Sequence, residues 1–433
     1  MRRNVIDTLV NWKNSADRKP LVLKGARQTG KTWLMNEFGK LYYDDTLVFN
    51  FDEEDELGSI FRANKDPLRI IERLGMLRGK KIEPGKHLVI FDEVQECPDA
   101  LNSLKYFCEK ANEYHIVSAG SMLGTLLAQP KSYPVGKVNI INVAPLLFDE
   151  FLAAVDEPLY GYYCSIHRET HIEKIFHDKL LEAYNYYLII GGMPECVLTW
   201  VNSRDPAKIK QIQSELVTLY ENDFSKYNGR INSGRILLVF RSIVTQLAKA
   251  NEKFIYGCVR QGARAREFEE AIEWLVSAGM VIRVHNVSKN EHPLNVFQQP
   301  GNFKLFMFDT GLLKHISGIS NEAILLKSDY QFKGPLTENY VLQQIRTLFD
   351  VEPKFFAQTG AALSEIDFLL QDGVDIIPVE VKSGENVQAA SFGKYLDKYA
   401  PTKAVLYSKN EYHRGARFTN IPLYLAGKTK ELM

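Results

Sequence analysis

The run from residue 25 to residue 32, GARQTGKT, constrains this chain more than any other feature because it matches the pattern G-x-x-x-x-G-K-[ST]. An apolar stretch, 21–23, precedes the run, and a helix is expected to begin at its end, over 31–40. Glycines allow such a loop to curl until its amide N–H groups point inward at phosphate oxygens, and the helix start adds a partial positive charge. The pattern predicts a strand, a phosphate-binding loop (P-loop) and a helix, in that order.

Each residue type in this loop suits a nucleoside triphosphate. Lys31 is expected to reach the β- and γ-phosphates of ATP and to assist catalysis, and Thr32 to offer its hydroxyl to Mg²⁺. The predicted nucleotide-binding residues of the loop are Gly25, Ala26, Arg27, Gln28, Thr29, Gly30, Lys31 and Thr32. ATP and Mg²⁺ are therefore the predicted cofactors.

Two acidic residues, Asp92 and Glu93, follow the apolar stretch 88–91. In open α/β sheets, ligands bind outside the carboxyl ends of the strands, which is where both side chains would lie. Asp92 is assigned to the Mg²⁺ shell. Glu93 is the predicted catalytic residue that positions and polarises the attacking water.

A third apolar stretch, 115–117, leads into a short polar segment that ends at Ser121. A polar side chain at this position can contact the γ-phosphate or the water, so Ser118 and Ser121 are also candidate nucleotide-binding residues. A plain strand-to-loop turn explains either serine equally well.

The composition limits the partners and the location of the chain. Lys+Arg and Asp+Glu both number 53, so there is no bulk basic field for nucleic acid, although a local basic face is compatible with this balance. The five cysteines show no C-x-x-C spacing, which argues against a zinc cage and fits a reducing cytosol. No signal peptide and no apolar run of membrane-spanning length are evident, so we expect a cytoplasmic protein without a membrane segment.

The pattern of apolar runs changes along the chain. Residues 1–148 alternate short apolar runs with helix-length stretches, which predicts a parallel sheet with helices on both faces. Residues 149–230 are mainly helical in pattern. Residues 231–318 give the order helix, helix and β-hairpin, which is typical of a winged helix. Residues 319–433 begin with a helix and continue with four strands.

The P-loop and the Asp-Glu pair resemble those of AAA-type ATPases of the additional-strand, catalytic-glutamate class. The segments 118–121, 143–152 and 191–195 extend this resemblance to a prokaryotic family in which such a module precedes a C-terminal nuclease-like domain of unknown function. The resemblance spans nearly the whole chain and implies a sheet with the P-loop strand at its centre, then a helical lid and a winged helix. The family often has an arginine where this chain has Lys137, so no arginine finger is assigned.

Four C-terminal residues, Glu338, Asp367, Glu380 and Lys382, resemble the core of PD-(D/E)xK nucleases. Side chains alternate along a strand, so Glu380 and Lys382 share one face, and a hairpin loop with an even number of residues puts Asp367 on that face. In such a site Asp367 and Glu380 hold Mg²⁺, and Lys382 stabilises the charge that develops on phosphate. Glu338 falls on the apolar stripe of its helix and needs a partner, which a metal or Lys382 would provide.

A basic cluster, Arg260, Arg264 and Arg266, lies around the start of the second helix of the predicted winged helix. These arginines could contact the phosphates of DNA. The alternative is a solvated helix face with no ligand.

The predicted fold class is α/β: a P-loop NTPase parallel sheet (1–148), a helical lid (149–230), a winged helix (231–318) and a C-terminal restriction-endonuclease-like α/β domain (319–433). The predicted function is an ATP-binding and ATP-hydrolysing AAA-type ATPase coupled to a nuclease-like module that acts on DNA or RNA. The alternative is an ATP/ADP-dependent switch that binds a protein partner, with an inactive C-terminal relative of nucleases. The sequence leaves open whether the chain forms a homo-oligomer.

Overall fold

The structure is a computed structural model, and it describes residues 1–120, 136–249, 253–326, 331–357, 365–385 and 389–433, with the backbone alone for 226–231. Packing divides the chain into two compact units. The first unit consists of residues 2–144 and 277–280, and the second consists of residues 145–276 and 281–433 together with Met1.

The first unit contains a parallel sheet in the strand order β2-β3-β4-β1-β5. Its strands are β1 (Leu21–Lys24), β2 (Asp45–Asn50), β3 (His87–Asp92), β4 (His115–Ala119) and β5 (Asn139–Asn142). The predicted parallel α/β sheet is therefore confirmed. The expectation that the P-loop strand would be central is wrong, because β4 is inserted between β1 and β3 and occupies the middle of the sheet.

Helices cover both faces of this sheet, as the nearly continuous burial of β1, β3 and β4 requires. They are α1 (Val5–Asn14), α2 (Lys31–Tyr42), α3 (Leu57–Ala63), α4 (Pro67–Leu77) and α5 (Pro98–Lys110). One apolar core packs α1 and α2 against one face, and a second core packs α3, α4 and α5 against the other. This packing fixes the carboxyl ends of β1 and β3, which carry the P-loop and the acidic pair.

The second unit is helical in its first half. Its helices are α6 (Phe148–Val155), α7 (Glu157–Ser165), α8 (Lys174–Ile190), α9 (Pro194–Ser203), α10 (Pro206–Ala248), α11 (Tyr256–Val259), α12 (Ala265–Ser277), α13 (Thr310–Ser317), α14 (Asn321–Leu325), α15 (Lys333–Ile345), α16 (Ala390–Tyr399) and α17 (Thr429–Leu432). Helix α10 has 43 residues, so the first helix expected within residues 231–318 in fact begins at Pro206. Asp205 caps it by accepting a hydrogen bond from the amide of Ala207.

A mixed sheet in the order β12-β13-β11-β10-β9-β8-β6-β7 completes the second unit. Its strands are β6 (Val281–Val287), β7 (Gln298–Met307), β8 (Lys354–Ala357), β9 (Glu365–Asp372), β10 (Asp375–Val381), β11 (Val405–Ser408), β12 (His413–Arg414) and β13 (Thr419–Pro422). The hairpin of β6 and β7, expected as part of a winged helix, thus continues the sheet of the C-terminal strands. It does so because Asn286 of β6 pairs in parallel with Phe355 of β8.

Among the described helices, none combines the length and the apolar character that crossing a membrane demands.

Candidate functional site

The P-loop connects β1 to α2 through a backbone that ordinary side chains adopt only under strain. Gln28 has φ 63° and Gly30 has φ 87°, both in the left-handed region. Gly25 has no space for a side chain, because an added Cβ would lie 2.2 Å from the carbonyl oxygen of Val143. These positions give the loop the tight curl that a cradle of amide groups requires.

Lys31 lies at the start of α2 and its side chain folds back over the loop. Its Nζ donates to the carbonyl oxygen of Ala26 at 2.8 Å and to that of Gly25 at 3.1 Å. Burial lowers the pKa of Lys31 to about 8, although the charges of Glu93 and Asp92 act in the opposite direction. The ammonium group is thus held at the loop by weak neutral acceptors, which a phosphate would replace with stronger charged ones.

Thr32 and Asp92 meet where the P-loop helix faces the end of β3. The hydroxyl of Thr32 donates to Asp92 Oδ2 at 2.8 Å. The second oxygen of Asp92, Oδ1, accepts from the amide of Glu93 at 3.0 Å. Burial raises the pKa of Asp92, and the hydrogen bond from Thr32 partly offsets this shift. A hydroxyl and a carboxylate in contact are the hard oxygen donors that Mg²⁺ takes in nucleotide sites, so the donor set fits this ion.

Glu93 follows Asp92 with φ 49°, an uncommon conformation for a residue with a side chain. Its Oε2 accepts from Gln95 Nε2 at 2.5 Å. Strain of this kind costs on the order of 1–3 kcal/mol and persists where the surroundings enforce it. Gln95 was not foreseen as a site residue, since nothing in the sequence marks it apart from its place two residues after Glu93.

The two serine candidates differ in what is known of them. Ser118 lies on β4 beside Val22 and Phe91 of the neighbouring strands. Its hydroxyl is fully buried and has no hydrogen-bond partner in the part of the chain that the structure describes. Ser121 lies outside the described residues.

Lys137, which stands where the family often has an arginine, forms an ion pair of 2.9 Å with Glu109.

Arg3 contacts the P-loop and was not predicted from the sequence. Its guanidinium donates to the carbonyl oxygen of Thr29 at 3.0 Å and to that of Ala144 at 2.6 Å. These partners are 26 and 141 residues away along the chain, so no local pattern could reveal them.

Three of the C-terminal candidates lie in α15, β9 and β10, and Lys382 directly follows β10. Asp372 of β9 pairs with Asp375 of β10, and Phe368 pairs with Val379. The loop between the strands therefore has an even number of residues, and continuing the register one step brings Asp367 opposite Glu380, on one face of the sheet. The hairpin loop with an even number of residues, which this site requires, is therefore present.

Hydrogen bonds tie these residues to one another and to the backbone. Lys382 Nζ lies 2.6 Å from Glu380 Oε1, and Asp367 Oδ2 accepts from the amide of Val381 at 2.7 Å. Glu338 and Asp367 line a pocket of about 180 Å³ together with residues of α10 and β7. Burial raises the pKa of Glu338, Asp367 and Glu380, and nearby lysines partly offset each of these shifts.

Two further residues belong to this pocket and were not predicted. Lys304 of β7 donates to Glu365 Oε1 at 2.5 Å, and its side chain is only 13% exposed. Burial lowers the pKa of Lys304, but Glu338, Glu365 and Asp367 outweigh this effect and raise it overall. Lys304 is thus a buried counter-ion of the acidic cluster, supplied by the β6–β7 hairpin from 61 residues before Glu365.

Asp367 and Glu380, the predicted magnesium ligands, lie on one face of the β9–β10 hairpin. Within the described ranges, no three Asp, Glu, His or Cys side chains are grouped so as to hold a metal ion. Asp367 and Glu380 alone remain as the predicted pair, and Mg²⁺ is often bound by one or two carboxylates with water and substrate phosphate completing its shell. The donor chemistry therefore fits Mg²⁺, with only a minimal set of protein ligands.

The three arginines of the basic cluster in the predicted winged helix differ in their contacts. Arg260 forms an ion pair of 2.6 Å with Glu267 and lies over the ring of Phe268. Arg264 and Arg266 are exposed. The Arg260 side chain is also 57% exposed, so all three arginines are presented to solvent.

Three family models match separate parts of the chain. Residues 17–152 match a family described as an AAA domain, so this segment is similar to the ATPase domains of AAA type. Residues 181–323 and 333–425 match two families that are each described as a domain of unknown function, DUF8612 and DUF4143. The Lys304–Glu365 contact therefore joins residues from two of the matched segments. A nuclease family is not among these matches.

Several solved structures are similar in part. The Walker-type ATPase PABY2304 of Pyrococcus abyssi is 14% identical, with 73% of this chain and 95% of that chain covered and a TM-score of 0.45. The Orc1 protein of Aeropyrum pernix in complex with DNA is 13% identical, with 75% and 92% covered and a TM-score of 0.26. DnaA of Aquifex aeolicus with bound AMPPCP is 13% identical, with 63% and 85% covered and a TM-score of 0.26. No curated protein matches the chain.

Proposed function

We propose that the chain binds and hydrolyses ATP with Mg²⁺ at the P-loop. The observation that carries this proposal is the 2.8 Å hydrogen bond between the Thr32 hydroxyl and the Asp92 carboxylate, because these are the two side chains that would hold the metal. Thr32 and Asp92 would hold Mg²⁺, which would neutralise negative charge that develops on the phosphates. The match of residues 17–152 to an AAA domain supports the same assignment.

The residues of the site divide the work of hydrolysis. The loop amides and the Lys31 ammonium bind the phosphates, and Thr32 and Asp92 hold the metal. Glu93 accepts a proton from the attacking water, and Gln95 orients the carboxylate that does so. Ser118 offers a buried hydroxyl on β4, the strand between β1 and β3. The roles follow the predicted nucleotide-binding set, with Gln95 and Arg3 added.

We further propose that the second unit carries a nucleic-acid-cleaving site, with DNA or RNA as substrate. Asp367 and Glu380 would hold Mg²⁺, which supplies a nucleophilic water, and Lys382 would stabilise charge on the scissile phosphate. Support comes from the even hairpin register, which brings Asp367 and Glu380 to one face, and from the pocket beside Glu338. In this view nucleotide state controls access to, or activity of, the second site.

A second function is favoured by the ion pairs in this pocket and beside it. Lys382 is paired with Glu380 and Lys304 with Glu365, so the cluster neutralises much of its own charge. A self-neutralised cluster needs no metal, as in an inactive relative of nucleases. The chain would then be an ATP/ADP-dependent switch that binds a protein partner.

A cleavage assay separates the two functions. Purified chain is incubated with single- and double-stranded DNA and RNA, with Mg²⁺ or EDTA, and with or without ATP. The nuclease proposal predicts Mg²⁺-dependent cleavage that falls by at least about 100-fold in Lys382→Ala, since a positioned charge of this kind is typically worth that much. Lys403→Ala is the matched control, because Lys403 also pairs with acids of the β9–β10 hairpin, at 3.6 and 3.8 Å, outside the pocket.

The results have distinct meanings. Cleavage that survives in Lys382→Ala would show that the activity comes from elsewhere and would defeat the nuclease assignment. No cleavage of any substrate, together with a partner that distinguishes the ATP-bound from the ADP-bound chain, would establish the switch.

A further inference from the structure

Arg3 makes a buried bridge between two loops of the first unit. It lies just before α1 and is 5% exposed. One Nη group donates to the Thr29 carbonyl of the P-loop, and the other donates to the Ala144 carbonyl that follows β5. A buried guanidinium is costly unless its donors are satisfied, so the bridge is not an incidental surface contact.

The contact with Thr29 has a geometric consequence on the opposite side of the loop. The peptide unit between Thr29 and Gly30 is planar and trans, so its C=O and its N–H point in opposite directions. Holding the Thr29 oxygen towards Arg3 therefore turns the Gly30 N–H away from Arg3. Gly30 has φ 87° and directly precedes the first residue of α2, where the loop amides form the phosphate cradle.

The second contact braces the bridge. Ala144 follows Val143, whose amide donates to the carbonyl oxygen of Lys24 at 2.7 Å. Val143 also lies against Gly25, which leaves no space for a Cβ there. The carbonyl of Ala144 is thus part of a segment already fixed to β1, and Arg3 ties the P-loop to this fixed segment.

We infer that Arg3 is a positioning residue for the nucleotide: its guanidinium orients the Thr29–Gly30 peptide so that the Gly30 amide points at the β-phosphate. This inference rests on the proposed ATP site. Arginine suits the role because its planar fork bonds two acceptors in fixed directions, whereas lysine presents a single ammonium group. Since the loop amides cradle the α- and β-phosphates, ADP and ATP should depend on Arg3 to the same extent.

The test is a calorimetric titration of the full chain with MgADP, and with MgATP in a Glu93→Gln background that prevents turnover. Arg3→Met is expected to weaken both Kd values by about tenfold, which is the loss of one hydrogen bond between a charged group and its partner. In chains that retain Glu93, KM for ATP should rise by a similar factor while kcat changes by less than about twofold. Arg2→Met is the matched control, because Arg2 is the adjacent arginine and is exposed.

Arg3→Lys separates the fork from the charge and also guards against an unfolded variant. It keeps the positive charge, and we expect it to bind both nucleotides more weakly than the unaltered chain. Thermal melting without nucleotide shows whether each variant is folded. If Arg3→Met is unfolded, the comparison is made with Arg3→Lys.

Three outcomes would overturn the inference in different ways. The first is that the unaltered chain binds ADP and ATP and a folded Arg3 variant binds both with Kd values within twofold of the unaltered ones. This result refutes the role of Arg3 but not the ATP site. Unaltered chain that binds neither nucleotide refutes the proposed ATP site and the inference with it. A fall in kcat without any change in Kd would also refute a positioning role, because it would place Arg3 in the hydrolytic step.

Discussion

Replacing Lys31 by alanine is expected to weaken ATP binding by about 100-fold or more, which is the usual cost of removing one partner of a buried charged hydrogen bond. The ammonium group of Lys31 is buried and bonded to the carbonyls of Ala26 and Gly25. The ammonium group therefore already lies against the P-loop. Exchange of these neutral carbonyl acceptors for charged phosphate oxygens is expected to drive ATP binding. Calorimetric titration with MgATP measures the loss.

The matched control for this variant is Lys40→Ala, which removes a lysine from the exposed end of the same helix. It should bind ATP as tightly as the unaltered chain does. Equal affinity in Lys31→Ala and Lys40→Ala would mean that the loop does not bind phosphate through its lysine.

The pH dependence of ATP binding provides a second check on Lys31. Because burial lowers its pKa to about 8, the ammonium is fully protonated well below pH 8 and is progressively lost above it. Bound phosphate favours the charged form, so affinity should be constant below pH 8 and fall by up to about tenfold for each pH unit above it. Lys31→Arg stays charged throughout this range and should abolish the decline, whatever its absolute affinity.

The second large effect concerns turnover. Glu93→Gln is expected to lower kcat by about 10²–10⁴-fold, the usual contribution of a general base, with little change in the Kd for ATP. Glutamine keeps the size of the side chain and cannot accept the proton of the attacking water. A phosphate-release assay measures kcat, and the same titration as above measures Kd.

Glu96→Gln controls for the loss of a nearby acid, since Glu96 is an exposed carboxylate three residues further on. It should hydrolyse ATP at the unaltered rate. Normal turnover in Glu93→Gln would assign the base to another residue, and a large loss of ATP affinity in Glu93→Gln would show that Glu93 binds the nucleotide instead.

The sheet and the P-loop site could be predicted from the sequence because their signals are local. Each of the five strands of the first unit is a short apolar run, and buried strands of a parallel sheet have this pattern. The Thr32–Asp92 contact could also be predicted, since the two motifs follow buried strands of one parallel sheet, and the carboxyl ends of such strands lie at the same edge. The strand order could not be predicted, because the hydrophobic periodicity of a strand does not indicate which strands are its neighbours.

The missed residues share a different property. Arg3 contacts Thr29 and Ala144, and Lys304 contacts Glu365, across separations of 26, 141 and 61 residues. Single polar residues of this kind carry no periodic signal, and only the packed fold brings them together. For the same reason the sequence could not show that β6 and β7 continue the C-terminal sheet, since a single pairing of Asn286 with Phe355 makes the join.

The most direct test of the nucleotide site is an ATP titration of the Glu93→Gln chain in Mg²⁺ and in EDTA, repeated with Asp92→Asn added. Asparagine keeps the shape that accepts the Thr32 hydrogen bond and removes the charge that holds the metal. We predict that Mg²⁺ tightens ATP binding by about tenfold or more in Glu93→Gln, and that Asp92→Asn removes most of this gain. Equal affinity in Mg²⁺ and EDTA, or a full Mg²⁺ effect in the Asp92→Asn chain, would contradict a metal shared between Thr32 and Asp92.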